Sequence, residues 1–218
     1  MSYFSLVHGK FRAIAYLVWQ ERDAVLIDPP QDMTVMQSIL ENNNLHLHAL
    51  LCTHMHVDHV IGCGTWQTHT GLPVFASRED IEAAPSMLGR APLYDMSIDP
   101  FIPTSLAEGK HTWGKLECHA ILIPGHSPGG FCFYFPSLNL LCSGDSLFKG
   151  IPSQTDFPES LPKQLAPSLK NKIFPLPPET LVFPGHGKTT TVGEEAYIWG
   201  FTPAPFHPSS QGEHYGRS

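Results

Sequence analysis

"CTHMHVDHVIG" occupies residues 52–62 and crowds three imidazoles and a carboxylate, His54, His56, Asp58 and His59, into six positions. Imidazole nitrogen and carboxylate oxygen are the ordinary ligands of zinc and iron. His54 and His56 are one residue apart, so on an extended segment their side chains share a face and reach one ion. Asp58 and His59 follow where the chain turns and can address a second centre. The stretch is fed by "LHALLCTH" (47–54), an apolar run that reads as a buried strand. After it, 59–71 reads as a helix despite its early glycines, with Gly71 as the stop.

On the N-terminal side, 11–19 and 24–30 are rich in β-formers and read as strands, the second halted by Pro29 and Pro30. Between 33 and 43, Met33, Met36, Ile39 and Leu40 fall near one helical face. Another short strand is expected at 72–77. The resulting βαβαβ order favours a layered α/β fold. Residues 84–103 then break the pattern with four prolines and no clean period. A run of that length reads either as a functional lid or as a plain surface excursion.

Strands resume at 116–124, 131–136 and 139–145, with a tight turn at Pro136-Ser137. A helix is expected at 161–174, with Pro167 awkward inside it, then a strand and turn at 180–187 and a short helix from 193. Residues 202–218 show no period and read as a flexible tail after one domain spanning 1–201.

Bulk composition narrows the function. The 218 residues are 42% hydrophobic and 15% charged, enough for a substantial core. A formal net charge of −7 argues against nonspecific nucleic-acid binding, which needs a basic face. The five cysteines, at 52, 63, 118, 132 and 142, include no CxxC pair and mostly sit in apolar runs. They read as small buried hydrophobes in a reducing compartment, with Cys63 the least settled because it adjoins the histidine cluster. No leader pattern opens the chain, and no run approaches the roughly 18 apolar residues of a membrane span. The expectation is a soluble cytoplasmic protein with no membrane partner; the oligomeric state is not legible.

Three more metal-capable residues stand in glycine-rich turns after apolar strands: His126 in "IPGHSPGG", Asp145 in "CSGDSLF" and His186 in "FPGHGKT". Glycine beside a ligand lets backbone and metal approach closely. Alone, each is more often structural; at the same end of successive strands they would converge on one sheet edge.

In this order and at these separations, "THMHVDH", "PGHSPG", "SGDSLF" and "FPGHG" resemble the metallo-β-lactamase superfamily over about residues 10 to 200. The tract from "GDSLF" through "TDFP" to "FPGHGKTTTVGEE" is most similar to the single-domain glyoxalase II-like hydrolases. The resemblance implies a four-layer αβ/βα sandwich with two divalent metal ions at one sheet edge, zinc first and iron or manganese as alternatives. It further implies that His54, His56 and His126 hold one ion, that Asp58, His59 and His186 hold the second, and that Asp145 bridges them. The implied partner is a small-molecule thioester such as a hydroxyacylglutathione.

The chemistry suits that donor set. A bound metal lowers the pKa of water from 15.7 to about 7, and two ions roughly 3.5–4 Å apart can share the resulting hydroxide. Asp58 would orient this nucleophile, and a thiolate leaves readily because a thiol pKa is about 8.5. Lys149, Lys188 and Gln154 are the residues that would meet the substrate. Gln154 stands where the resembling family often carries a base, and Asp156 reads either as an acceptor behind a ligand or as a turn cap. The chain also ends too soon for the helical domain with which larger relatives hold glutathione. Pro30 stands where the family usually has glycine, without a functional reading. His8, His46, His48, His111 and His119 match no motif and read as surface or supporting residues, and His69 reads as structural. Three other readings stay open. One is a mononuclear-iron persulfide dioxygenase using His54, His126 and Asp145. Another is a lactone or phosphodiester hydrolase of the same fold. The third is a non-enzymatic metal-binding scaffold, which the full ligand set disfavours.

Overall fold

The computed structural model describes residues 2–201. The chain builds two six-stranded sheets. The first contains β1 (Tyr3–His8), β2 (Ala13–Gln20), β3 (Asp23–Ile27), β4 (His46–Leu51), β5 (Val74–Ser77) and β6 (Pro103–Leu106), side by side in that order. The second contains β7 (Gly109–Trp113), β8 (Leu116–Leu122), β9 (Phe131–Phe135), β10 (Leu140–Gly144), β11 (Leu181–Pro184) and β12 (Thr190–Thr191), again in sequence order. Helices α1 (Thr34–Asn42), α2 (Val57–Val60), α3 (Cys63–Thr70) and α4 (Arg78–Leu88) belong to the first half, and α5 (Pro162–Ser168) and α6 (Val192–Ile198) to the second.

Alternation along the strands explains the layering. Ile14, Tyr16 and Val18 of β2 enter a core shared with Phe131, Phe133, Phe135 and Cys142 of the opposite sheet. Their neighbours Ala15 and Leu17 point the other way, into a core with Met36 of α1, Trp66 of α3 and Met87 of α4. On the far side, Cys132, Tyr134 and Leu141 meet Leu165 of α5, the helical turn after it, and Val192 of α6. Central strands buried on both faces carry no polar alternation, which is why they read as continuous apolar runs. Each fully buried large side chain in these layers contributes about 1.5–3 kcal/mol. The result is the expected αβ/βα sandwich of four layers.

Several elements differ from the expectation. The helix at 59–71 is two helices, parted at Ile61-Gly62. A Cβ on Gly62 would run into the Pro29 and Pro30 carbonyls; Gly62 N donates to Pro29 O at 3.2 Å and Trp66 Nε1 to Pro30 O at 2.8 Å. The second proline therefore serves to seat α3. Gly71 does end that helix, with φ +69°. The segment 84–103 is less irregular than its prolines suggest. α4 runs through Pro85 to Leu88, started by Ser77 Oγ, which accepts from Asp80 N at 3.1 Å, and by two acidic residues in its first turn. A 3₁₀ turn follows at Ala91–Tyr94, so only 95–102 is without regular structure. The helix at 161–174 changes to a π-helical turn at Leu169–Ile173, just after Pro167, which has no N–H for the regular ladder. β1, β6 and β7 carry no strand expectation, because their half-exposed residues lack a sustained apolar run. The tail at 202–218 lies outside the described residues.

Candidate metal centre

All seven predicted ligands leave the C-terminal ends of strands. His54, His56, Asp58 and His59 follow β4, His126 follows β8, Asp145 follows β10 and His186 follows β11. β10 and β11 are parallel, and β8 is antiparallel to β9, which is antiparallel to β10, so these three strands of the second sheet run the same way. Main-chain bonds tie the two sheets together at this edge: Phe131 N donates to Thr53 O at 2.7 Å and Ile14 N to Gly185 O at 2.8 Å. Asp80, buried at the start of α4, accepts from Met55 N at 3.1 Å and Gly129 N at 2.6 Å, joining the histidine loop to the turn that bears His126.

Ring-proton positions follow from the partners outside the cluster. Thr53 Oγ1 donates to Asp28 Oδ2 at 2.7 Å, so it is left to accept from His54 Nδ1 at 3.1 Å. His59 Nδ1 donates to Asp28 Oδ2 at 2.8 Å, His126 Nδ1 to the Gln154 carbonyl at 2.7 Å, and His56 Nε2 to Glu159 Oε1 at 3.1 Å. Each of these four rings ties an N–H outward and turns its other nitrogen toward the cluster; on His54, His56 and His126 that nitrogen carries a lone pair. His56 Nδ1 and His126 Nε2 then face each other at 2.9 Å as two acceptors. That arrangement calls for a cation between them.

The inward atoms form three overlapping groups: His54, His56 and His126; Asp58, His59 and His186; and His54, His59 and Asp145. Within each group the donor atoms lie within 4.8 Å of one another. Asp145 spans the first two groups, with Oδ1 3.5 Å from His59 Nε2 and Oδ2 3.6 and 3.7 Å from the Nε2 atoms of His126 and His186. His54 Nε2 and Asp145 Oδ1 are buried with no hydrogen-bond partner among the described residues. Unpaired buried polar atoms are costly, and a bound cation would satisfy both. The residues therefore fit a metal centre.

The two groups differ in charge. Burial, reinforced by neighbouring imidazoles, lowers the pKa of His54 well below the usual histidine range, of His126 to about 3, and of His56 to about 4 despite Glu159. These rings are neutral at pH 7 and ready to ligate. His59 goes the other way: burial opposes its charged form, but Asp145, Asp58 and Asp28 together raise it to about 10. Burial likewise opposes charge on His186 and is overcome by the Asp58 carboxylate, whose Oδ2 is 3.2 Å from Nε2. The Asp58 carboxyl is held far below its ordinary range by His59 and His186, in spite of its burial.

The sequence matches the metallo-beta-lactamase superfamily over residues 9–186. The chain belongs to this superfamily. It is 31% identical over 193 residues to hydroxyacylglutathione hydrolase GloC of Haemophilus influenzae, an alignment covering 85% of this chain and 90% of that one. Among solved structures, it is similar to TTHA1623 in a di-iron-bound form, with TM-score 0.80 and 35% identity over 89% of this chain and 98% of the other. BLEG-1 B3 metallo-beta-lactamase gives TM-score 0.82 and 30% identity over 89% and 96%.

A cavity of about 510 Å³ opens over the superfamily cluster and exposes His56, Asp58, His126, Asp145 and His186 to a ligand. Of the predicted substrate contacts, Gln154 lines it. Lys149 and Lys188 do not; both are exposed, and Lys149 Nζ lies 4.0 Å from Glu194. Asp156 is exposed, and the acceptor nearby is Glu159, clamped in turn by a two-pronged bond from Arg90. Arg90 holds the Glu159 carboxyl down to about 2, so it accepts from His56 as a carboxylate. Phe157 covers His56 and His126, with ring centroids 4.6 and 5.6 Å away. Sequence reading passed over Asp28, Asp80, Arg90 and Glu159. Each is a single charged residue outside any metal-like spacing. Cys63 is buried with its Sγ 3.5 Å from that of Cys52 and takes no part in the cluster. Of the unmatched histidines, His48 bonds Asp23 and His119 bonds Glu117, while His69 bonds Gln37 of α1.

Proposed function

We propose that this chain is a dinuclear metal-dependent hydrolase that cleaves a thioester, a hydroxyacylglutathione being the kind of substrate the GloC relative is named for. The observation that carries the reading is the convergence of inward-facing imidazole nitrogens and two carboxylates on one cavity floor, with four ring N–H groups tied outward. His54, His56 and His126 would hold one ion, Asp58, His59 and His186 the other, and Asp145 would lie between them. Zinc suits this nitrogen and oxygen set, and the di-iron form of TTHA1623 keeps iron in view. A mononuclear oxygenase would need only two imidazoles and one carboxylate, leaving His56, Asp58, His59 and His186 without a ligand role. Five free, buried cysteines support a reducing, cytoplasmic setting, and no helix among the described residues is long and apolar enough to cross a membrane.

Metal ions bound here supply an acidified water and a Lewis acid for the carbonyl oxygen. The chain does the rest. Asp58, kept ionised and facing the cavity, accepts a hydrogen bond from the attacking water and aims its lone pair at the carbonyl carbon. The Arg90–Glu159 pair fixes His56 in one tautomer, and the Gln154 carbonyl does the same for His126. Phe157 shields these two rings from bulk water. The water oxygen ends in the acid product, one water proton passes to solvent, and the C–S bond breaks with its electron pair on sulfur. The thiolate leaves without strong protonation because a thiol pKa is about 8.5.

Asp145→Asn tests the reading, since it keeps shape and removes the bridging charge. Thioester turnover and metal content should both fall, turnover by at least the roughly 10–100-fold typical of a disturbed metal site. Full metal content with parental turnover would contradict the bridging role.

A further inference from the structure

Away from the cluster, the cavity's large side chains are mainly apolar: Phe11, Met87, Tyr94, Phe148, Ile151 and Phe157. At the rim, Ile151 is 60% exposed and Phe11 41%, two apolar surfaces left in water where a ligand would cover them. Phe11 and Tyr94 meet edge to face at 5.1 Å, joining the loop after β1 to the 3₁₀ turn after α4. With Met87 and Arg90, this turn brings the segment 84–103 to the site.

Charge complementarity points the same way. Among the described lining residues, Arg90 is the one lysine or arginine, and its charge is already matched. Both terminal nitrogens fork onto the Glu159 carboxylate, and the guanidinium carbon sits 5.2 Å from the Phe157 ring centroid. Lys10 turns its ammonium to the Tyr94 carbonyl at 3.0 Å and is not part of the lining. Gln154 offers an amide without charge. Glutathione brings two carboxylates and an ammonium, and no unmatched lysine or arginine on these walls would receive the carboxylates. Asp58 and Asp145 on the floor offset half of the charge that two divalent cations would bring.

We propose that the cavity selects thioesters with an uncharged apolar arm, alkyl or aryl, over glutathione thioesters, with Phe11, Ile151 and Phe157 setting the preference. This rests on the reading of the centre as a thioester hydrolase. The arm lies along the Phe157–Ile151 wall while the carbonyl faces the cluster. An arm that buries its methylenes there raises kcat/KM by roughly fourfold per methylene until the cavity is filled.

Two series of neutral thioesters test it with metal-loaded protein: acyl thioesters of N-acetylcysteamine from acetyl to octanoyl, and acetyl thioesters of ethanethiol to octanethiol, beside S-lactoylglutathione. One series should steepen with length, identifying the arm the wall holds, and its best member should exceed lactoylglutathione at least tenfold in kcat/KM. Ile151→Asp, at an exposed rim position where folding is not at stake, should flatten that dependence at unchanged metal content. Flat series with lactoylglutathione preferred would overturn the proposal and leave the thioesterase reading standing. No cleavage of any thioester by protein carrying two ions would remove both.

Discussion

At the scale of single residues, the account rests on where ring protons go. Asp28 and Glu159 take them from His59 and His56, at 2.8 and 3.1 Å. Glu159→Gln keeps an acceptor but loses the charge and the Arg90 clamp. Metal affinity should drop roughly 10–100-fold, read by competition with a chromogenic chelator; unchanged affinity would show that His56 needs no anchor. The unequal charging of the two donor groups has its own consequence. A proton and a metal ion compete for the same lone pair, so a ligand with raised pKa binds metal better as pH rises. His54, His56 and His126 have lowered pKa values, so affinity at their group should be nearly flat between pH 6 and 8. His59, raised to about 10, stays protonated across that window, and His186 is raised as well, so affinity at the second group should climb with pH, by about tenfold per unit for the proton His59 releases. Calorimetric titration in buffers of different ionisation enthalpy counts that proton. Equal pH slopes at both sites would refute the asymmetry. The seven clustered residues were legible because each lies in a short motif at a strand end. Asp28 and Glu159 were not, since their partners stand 31 and 103 positions away in sequence and nothing local marks them.

At the scale of elements, glycines decide how close the turns approach. Gly185 sits against Asp145 and His59: a Cβ there would collide with Asp145 Oδ1 and come within 2.6 Å of His59 Cε1. Gly185→Ala should push the Asp145 carboxylate aside and cost at least tenfold in metal affinity. The sheets, built from residues elsewhere, should keep their circular dichroism. Retained metal affinity would mean that the turn relaxes freely. Strands with continuous apolar runs, β2, β4, β9 and β10, could be read from sequence. β1, β6 and β7 could not, because partners rather than composition define an edge strand. The break between α2 and α3 depends on two proline carbonyls more than thirty residues upstream, and α4 on a cap that outweighs Pro85.

At the scale of the whole molecule, two sheets of opposite chain halves meet at one edge, and only there do β4, β8, β10 and β11 deliver donors to the same floor. The order of motifs made the four-layer fold legible through resemblance; the β/α alternation alone was compatible with other layered folds. The cavity was not legible, since its walls come from the loop after β1, the segment after α4 and the tract at 148–157. The central claim is that this floor holds two ions divided between two donor groups. Elemental analysis of protein purified without added metal, run beside His186→Ala, tests it most directly. The account expects about two divalent ions per chain in the parent and about one in the variant; a single iron per chain in both would contradict it.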